Sequence, residues 1–198
     1  MAITATPRTL VETVSLSWAK NLVIVLGGTT FIAAMAQVSI PLPFTPVPLT
    51  GQTLAVLLTI SALGAYRSLA ATSIYLVAAV IGLPVLAPQT DGSHITGTAV
   101  FSMASFGYVA GFIAASFVLG KLAEREMTKT VLKTAVVMIG ANVIIYTFGL
   151  LNLKSVTGAS WSEVISWGVT PFVIGDLIKI LIAANLLPAT WKLVAKLK

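Results

Sequence analysis

The sequence predicts an all-α integral membrane protein, a bundle of six transmembrane helices with both termini cytoplasmic. Three observations carry that expectation. The 198 residues are 57% hydrophobic and only 9% charged, whereas soluble domains carry about 25% charged residues. Apolar runs recur six times, separated by short polar or Pro/Gly-rich stretches. With the termini inside, Arg8, Lys20, Arg67, Lys121, Arg125, Lys129, Lys133, Lys192, Lys196 and Lys198 all fall on the cytoplasmic side, as the positive-inside rule requires. Lys154 alone then lies in an outer loop, and Lys179 lies within the sixth run.

The same distribution accounts for the formal charge of +6 without nucleic acid as a partner; the partner implied is the lipid bilayer. No Walker-type Gly-x-x-x-x-Gly-Lys-Ser/Thr run occurs, so ATP hydrolysis would need another subunit. The absence of cysteine removes disulfides, thiolate catalysis and Cys-based metal sites. Neither a cofactor nor a metal is expected.

Residues 1–20 are mixed, with Leu10, Val14 and Trp18 at helical spacing: a loosely ordered tail or an interfacial helix anchored by Trp18. Residues 21–198 read as a single six-helix membrane domain. The first run, Leu22–Val38, has features of a secretory signal, Arg8 and Lys20 before it and Ala34-Met-Ala36 at its end. It is long for a signal core and leads into another apolar segment, so it reads as a retained helix. Its small residues four apart, Thr29/Ala33 and Thr30/Ala34, permit close helix approach.

Ile40–Leu49 carries Pro41, Pro43, Pro46 and Pro48, an ordered non-helical connection that packs over the bundle as a lid or plug, since such backbone survives near a bilayer only under cover. The second run is Leu49–Leu63, with Gln52 near its start, and Gly64–Arg67 reads as a tight turn. The third is Leu69–Leu86, broken late by Gly82 and Pro84; a polar stretch with Asp91 and the only histidine, His94, follows. The fourth, Thr98–Leu119, contains Gly107 and Gly111, a helix-packing spacing. The charged stretch Lys121–Lys129 is a loop or interfacial turn. The fifth run is Val131–Leu150, residues 151–168 read as a loop with interfacial Trp161 and Trp167, and the sixth run is Val169–Leu187.

Inside the sixth run Asp176 and Lys179 stand three apart and share a helix face. A lone charge in hydrocarbon costs at least about 2.5–3.5 kcal/mol, so such residues pair or line a cavity. Counted from Val169 at about 1.5 Å per residue, Asp176 lies roughly 10 Å below the outer end. Asn142 and Tyr146, four apart on the fifth run, also share a face, and Gln52 opens the second run on the same side. A structural ion pair needs none of these companions; a polar binding site open to the exterior does.

Ala36–Thr50 with Gln52-Thr-Leu-Ala-Val56, Tyr75 with Ile81-Gly-Leu-Pro-Val85, Gly107-Tyr-Val-Ala-Gly-Phe112, Leu122-Ala-Glu-Arg125, Asn142-Val-Ile-Ile-Tyr146 and Pro171-Phe-x-x-Gly-Asp-Leu-x-Lys179 together resemble the BioY family, biotin-specific S components of energy-coupling-factor (ECF) transporters. The resemblance runs from about Thr30 to Pro188. It implies an ECF S-component-like bundle in the bacterial plasma membrane that binds biotin with high affinity from outside. Uptake would be driven by a transmembrane coupling subunit and two ABC ATPase subunits, with the S component toppling in the membrane. It implies that Asp176 accepts from the ureido N–H groups and Lys179 donates to the ureido carbonyl, bonds strengthened by charge where water is excluded. Asn142, Tyr146 and Gln52 would complete the polar shell. Ser105, Phe106, Gly107 and Tyr108 are carried over as contacts, Phe106 or Tyr108 covering the apolar ring. The valerate tail would point outward; the alternative is Lys179 holding the tail carboxylate. The sequence departs from the family at Ser105 and Phe106, where threonine and glycine are expected. The small-residue docking motif of the first helix survives only with threonine, as Thr30/Ala34.

Two other readings stand beside this one. The nearer is an S component for another vitamin, or a stand-alone small-molecule membrane transporter. The other is a membrane hydrolase, since Asp91, Ser93 and His94 are the right residue types; the adjacency of Ser93 and His94 gives no triad geometry.

Overall fold

The computed structural model describes residues 9–13 and 17–196. Arg8, Val14 and Lys198, which bear on the tail and on the count of cytoplasmic cations, lie outside them. The elements are α1 (Trp18–Gln37), the two-residue strands β1 (Ser39–Ile40) and β2 (Leu49–Thr50), α2 (Gln52–Leu63), α3 (Ala65–Val80), α4 (Phe106–Ala123), α5 (Val131–Thr157), α6 (Trp161–Gly168) and α7 (Val173–Lys196). Short 3-10 turns cover Leu10–Thr13 and Gly97–Ser102. Among the described residues, α1, α4, α5 and α7 are long and apolar enough to cross a membrane, and α2 and α3 are shorter apolar helices.

Burial sorts the helices into an inner and an outer set. Most of α2 is buried, including Ala55, Val56, Leu57 and Ile60, as expected of a helix that is apolar all round. It packs against α1, α3, α4 and α7. α1 buries Val25, Thr29, Ile32 and Ala36 and leaves Leu22, Val23, Leu26 and Phe31 exposed, a face suited to lipid. Trp18 is the first residue of this long helix, not the anchor of a separate interfacial one. Thr29 Oγ1 donates to Ala71 O on α3 at 3.0 Å, while Thr30 and Ala34 lie on the exposed side.

Several boundaries differ from the sequence reading. The turn expected over Gly64–Arg67 is a single residue. Gly64 has φ +78°, a value glycine adopts at no steric cost, and α3 begins at once. The first N–H of α3, at Ala65, is capped by Glu124 Oε1 of the α4 end at 2.9 Å. α3 stops at Val80 and does not run on to Leu86: Gly82 (φ +104°) and Pro84 turn the chain back over the bundle, where Leu86 is buried. The fourth run is a 3-10 turn, a break at Met103–Ser105 and then α4. The freed carbonyls of Met103 and Ala104 accept from Asn152 Nδ2 of α5 at 3.1 and 3.0 Å. α5 extends to Thr157, capped by left-handed Gly158, and α6 occupies the expected loop. Ser160 and Glu163 form a reciprocal capping box at the start of α6, which is the local reason that helix exists.

α4 and α5 are the closest pair. A Cβ at Gly107 would run into the Phe148 carbonyl and one at Gly111 into the Ile145 backbone, so both glycines serve close approach. The Pro-rich segment between β1 and β2 is tied to α6 by Thr45 Oγ1 donating to Trp167 O at 2.9 Å. Val47, Leu153, Val164 and Phe172 form a small second core beneath it.

Candidate functional site

The residues Gln52, Asn142, Tyr146, Asp176 and Lys179 line one cavity, enclosed by α2, α4, α5, α7 and the loops above them. Its empty space, with the open mouth included, is about 750 Å³. Three elements fix the charged pair. α7 begins at Val173, four residues later than expected, and Asp176 N donates to Phe172 O at 2.8 Å. Asp176 therefore sits in the first turn of its helix, not about two turns down. A carboxylate there is favoured by the positive end of the helix dipole.

Lys179 Nζ donates to Asp176 Oδ1 at 2.9 Å, and Tyr146 Oη donates to Asp176 Oδ2 at 2.5 Å. The side chains of Lys179 and Asp176 are 13% and 10% exposed. Both carboxylate oxygens thus have a partner, while the ammonium has Asp176 as its one partner among the described residues. Tyr108 stands edge-on to Tyr146, ring centroids 6.2 Å apart, and donates to Gly168 O at 2.9 Å. Asn142 is different: it is buried, and its oxygen has no hydrogen-bond partner among the described residues.

Depth follows from helix direction. α7 descends from the mouth and α5 rises toward it. With Tyr146 bonded to Asp176, Asn142 and Lys179 both lie about one turn deeper. Phe112, one turn below Tyr108 on α4, shares that level and lines the cavity with Ile145. The floor therefore presents an ammonium and a carboxamide set among apolar walls. The mouth is made by loop residues: Val47, Pro48, Ala87, Gln89, Ile95, Met103 and Ser105.

Gln52 holds the wall in place. Its Oε1 accepts from Thr50 Oγ1 at 3.0 Å and its Nε2 donates to Tyr75 Oη at 2.5 Å. Tyr75, fully buried on α3, donates onward to Val85 O at 3.2 Å. Gln37 Nε2 of α1 also bonds Val85 O and Leu86 O, and His94 Nδ1 lies 2.8 Å from Leu86 O. The segment after α3 is thereby strapped across the bundle top, with Leu86 and Ala87 facing the cavity.

Of the residues expected at the site, Ser105 and Tyr108 line the cavity and Phe106 and Gly107 do not. The Phe106 ring packs edge-on against Phe101 at 5.3 Å, and Gly107 is spent on the α4–α5 contact. Consecutive helical positions point about 100° apart, so four in a row cannot all face one cavity. Sequence reasoning missed Gln89, Met103, Phe112 and Phe172, residues on loops or apolar helix faces that carry no local signal. Asp91 accepts from both Ser93 N and Ser93 Oγ, which holds its carboxyl below the ordinary value. With His94 turned onto Leu86 O, these residues form an Asx turn and no triad.

The BioY family model matches residues 6–196. A biotin transporter BioY from Rhizobium etli is 36% identical over 154 residues, 74% of this chain and 79% of that protein. A second, from Thermotoga maritima, is 36% identical over 161 residues, 79% and 86% of the two chains. A third, BioY2 of Lactococcus lactis subsp. cremoris, is 32% identical over 162 residues, 80% and 83%. The crystal structure of the S-component for biotin from an ECF-type ABC transporter superposes with a TM-score of 0.78 at 21% identity, covering 90% of this chain and 95% of that one. The fold is therefore that of an ECF S component.

Proposed function

The chain belongs to the BioY family, and from that premise we propose that it captures biotin from the outer face of the bacterial plasma membrane as the substrate-specific S component of an ECF-type transporter. The observation that carries this reading is the floor of the cavity. A carboxamide whose oxygen has no partner among the described residues stands there at the level of an ammonium that still has donors to give. A cyclic urea offers N–H donors beside a carbonyl acceptor, the complement of that pair. The ureido ring enters first: Lys179 donates to its carbonyl, and Asn142 and Asp176 accept from its N–H groups. Asp176 does so with lone pairs left by Lys179 and Tyr146, since a carboxylate has about four acceptor positions. Asn142 satisfies either polarity by turning its amide, whose two ends are interchangeable in shape. Tyr108, Phe112 and Ile145 cover the apolar ring, and Ser105 and Gln52 complete the wall.

In this reading the six apolar helices all belong to the membrane domain, residues 21–198, with both termini cytoplasmic. The supporting observation is that Lys20, Arg67, Lys121, Lys133, Lys192 and Lys196 stand near the starts of α1, α3 and α5 and the ends of α4 and α7, as the positive-inside rule groups them. The chain has a transport role and no chemistry of its own; ATP is hydrolysed by two separate ABC subunits through a transmembrane coupling subunit. Thr30 and Ala34, exposed on α1, belong to the face that docks on that subunit, where small side chains allow close helix approach.

The test is equilibrium binding of a vitamin panel to the purified chain in detergent. Tight, saturable binding of biotin with no competition from thiamine, riboflavin or pantothenate is expected. Tight binding of another vitamin, with biotin inert, would move the chain to the nearest rival reading. Uptake by cells that express the chain with and without the coupling and ATPase subunits tests the assembly: uptake by the chain alone would make it a stand-alone transporter.

A further inference from the structure

The two ends of the cavity differ in charge. Among the described residues, Asp176 and Lys179 are the only charged side chains lining it, Lys179 at the floor and Asp176 about one turn above it. Toward the mouth the polar side chains are neutral: Thr50, Thr53, Gln89 and Ser105. Thr50 Oγ1 is committed to Gln52, which leaves the hydroxyls of Thr53 and Ser105 and the exposed Gln89 amide as donors. The cation of the outer region, Lys154, is held elsewhere, donating to Ala159 O at 2.8 Å and lying 5.3 Å from the centre of the Trp161 ring. The His94 ring is turned onto Leu86 O and does not line the cavity.

Resting on the ring-first reading of biotin above, we propose that this chain recognises its ligand by the ureido end alone and also captures biotin amides, such as biotin joined to the side-chain amine of lysine. A carboxylate that reaches this mouth meets neutral hydrogen-bond donors and water, and no counter-charge that its loss would strand. An amide carbonyl accepts from the same Ser105 and Gln89 donors. An extended tail continues out through the opening rather than into a wall. The substrate class is therefore a bicyclic urea with an outward tail whose end is free or acylated onto an amine.

Displacement of labelled biotin from the purified full-length chain tests this directly. Unlabelled biotin, biotin amide of lysine and a biotin N-methylated on the ureido ring are compared as competitors. The lysine amide is expected to compete within about threefold of biotin, and the ureido-blocked compound to lose at least a hundredfold. Gln89→Arg, which places a cation at the mouth, is expected to make the chain prefer the free acid over the amide by tenfold or more. Loss of the lysine amide by a hundredfold, with biotin still bound tightly, overturns the inference and points to Lys179 as the partner of the tail carboxylate. Failure of biotin itself to bind overturns the function reading instead, so the two failures are distinct.

Discussion

The pairs Asp176–Lys179 and Lys121–Glu124 have the same i, i+3 spacing and nearly the same geometry, with N···O distances of 2.9 and 3.2 Å. Their settings are opposite. The first has side chains 10% and 13% exposed and lines a cavity, while the second has side chains 39% and 25% exposed at the end of the bundle where the cations gather. Glu124 spends its other oxygen on Ala65 N and so joins the end of α4 to the start of α3. Lys121 lies 4.1 Å from the centre of the Tyr66 ring. Spacing alone gives a pair; what surrounds the pair decides whether it only ties helices together or lines a cavity.

The sharpest way to break this comparison is to remove each pair. Asp176→Ala and Lys179→Ala are each expected to lower biotin affinity by at least a hundredfold, with each variant still eluting as a single folded species in detergent. Charge-assisted bonds to ligand are lost, and the remaining partner is left as an uncompensated charge in a dry site. Lys121→Ala and Glu124→Ala are expected to leave affinity within threefold of the parent. Equal losses from both pairs, read by the same titration, would mean that the inner pair acts only through the fold.

Asn142→Ala tests the unpaired amide. One neutral hydrogen bond contributes about 0.5–1.5 kcal/mol, so affinity is expected to fall by about two- to tenfold. Because the amide has no protein partner among the described residues, melting temperature should stay constant. A variant that melts lower and binds normally would make Asn142 a packing residue.

Glu124 sharpens the other side. Glu124→Ala removes the cap on Ala65, which costs about 1 kcal/mol and lowers the melting temperature by about 2–4 °C for a chain of this size. Glu124→Gln retains an acceptor and is expected to restore most of the loss. Intrinsic tryptophan fluorescence on heating reads both variants.

The polar residues that line the cavity were legible in the sequence because i, i+3 and i, i+4 spacings survive whatever the helices do: Asp176 with Lys179, and Asn142 with Tyr146. The apolar walls were not. Phe112 and Ile145 look like any core residue, and only the approach of α4, α5 and α7 turns them toward a cavity. Helix ends were lost for a related reason. The run at Val169 is apolar, yet Phe172 N bonds Val169 O and Thr170 N bonds Ile165 O, so local turns consume those residues before α7 starts. α6 looked like loop because its eight residues are short and Trp-rich. Its Ser160-x-x-Glu163 box was the available signal, since that spacing marks a helix start.

That box supplies a third contact at i, i+3 and the smallest expected effect. Glu163 Oε2 accepts from Ser160 N and Ser160 Oγ, each at 2.8 Å, and these bonds hold its carboxyl below the ordinary value of 4.5. A depressed folded value means that the cap contributes fully above 4.5 and is lost as pH falls through the lower, folded value. Between pH 7 and 5, protection of the α6 amides against hydrogen exchange, corrected for intrinsic rate, should therefore be constant, and it should decline below 4.5. Glu163→Gln keeps a side-chain acceptor for Ser160 without a titrating charge, so its corrected protection should lack that decline. α6 carries the Trp167 and Gly168 carbonyls that hold Thr45 and Tyr108, but neither bond passes through the capped end. Biotin affinity of Glu163→Ala is accordingly expected within twofold of the parent at pH 7. A tenfold loss would mean that α6 transmits its own stability to the cavity, and that a solvent-exposed contact at this spacing reaches the site after all.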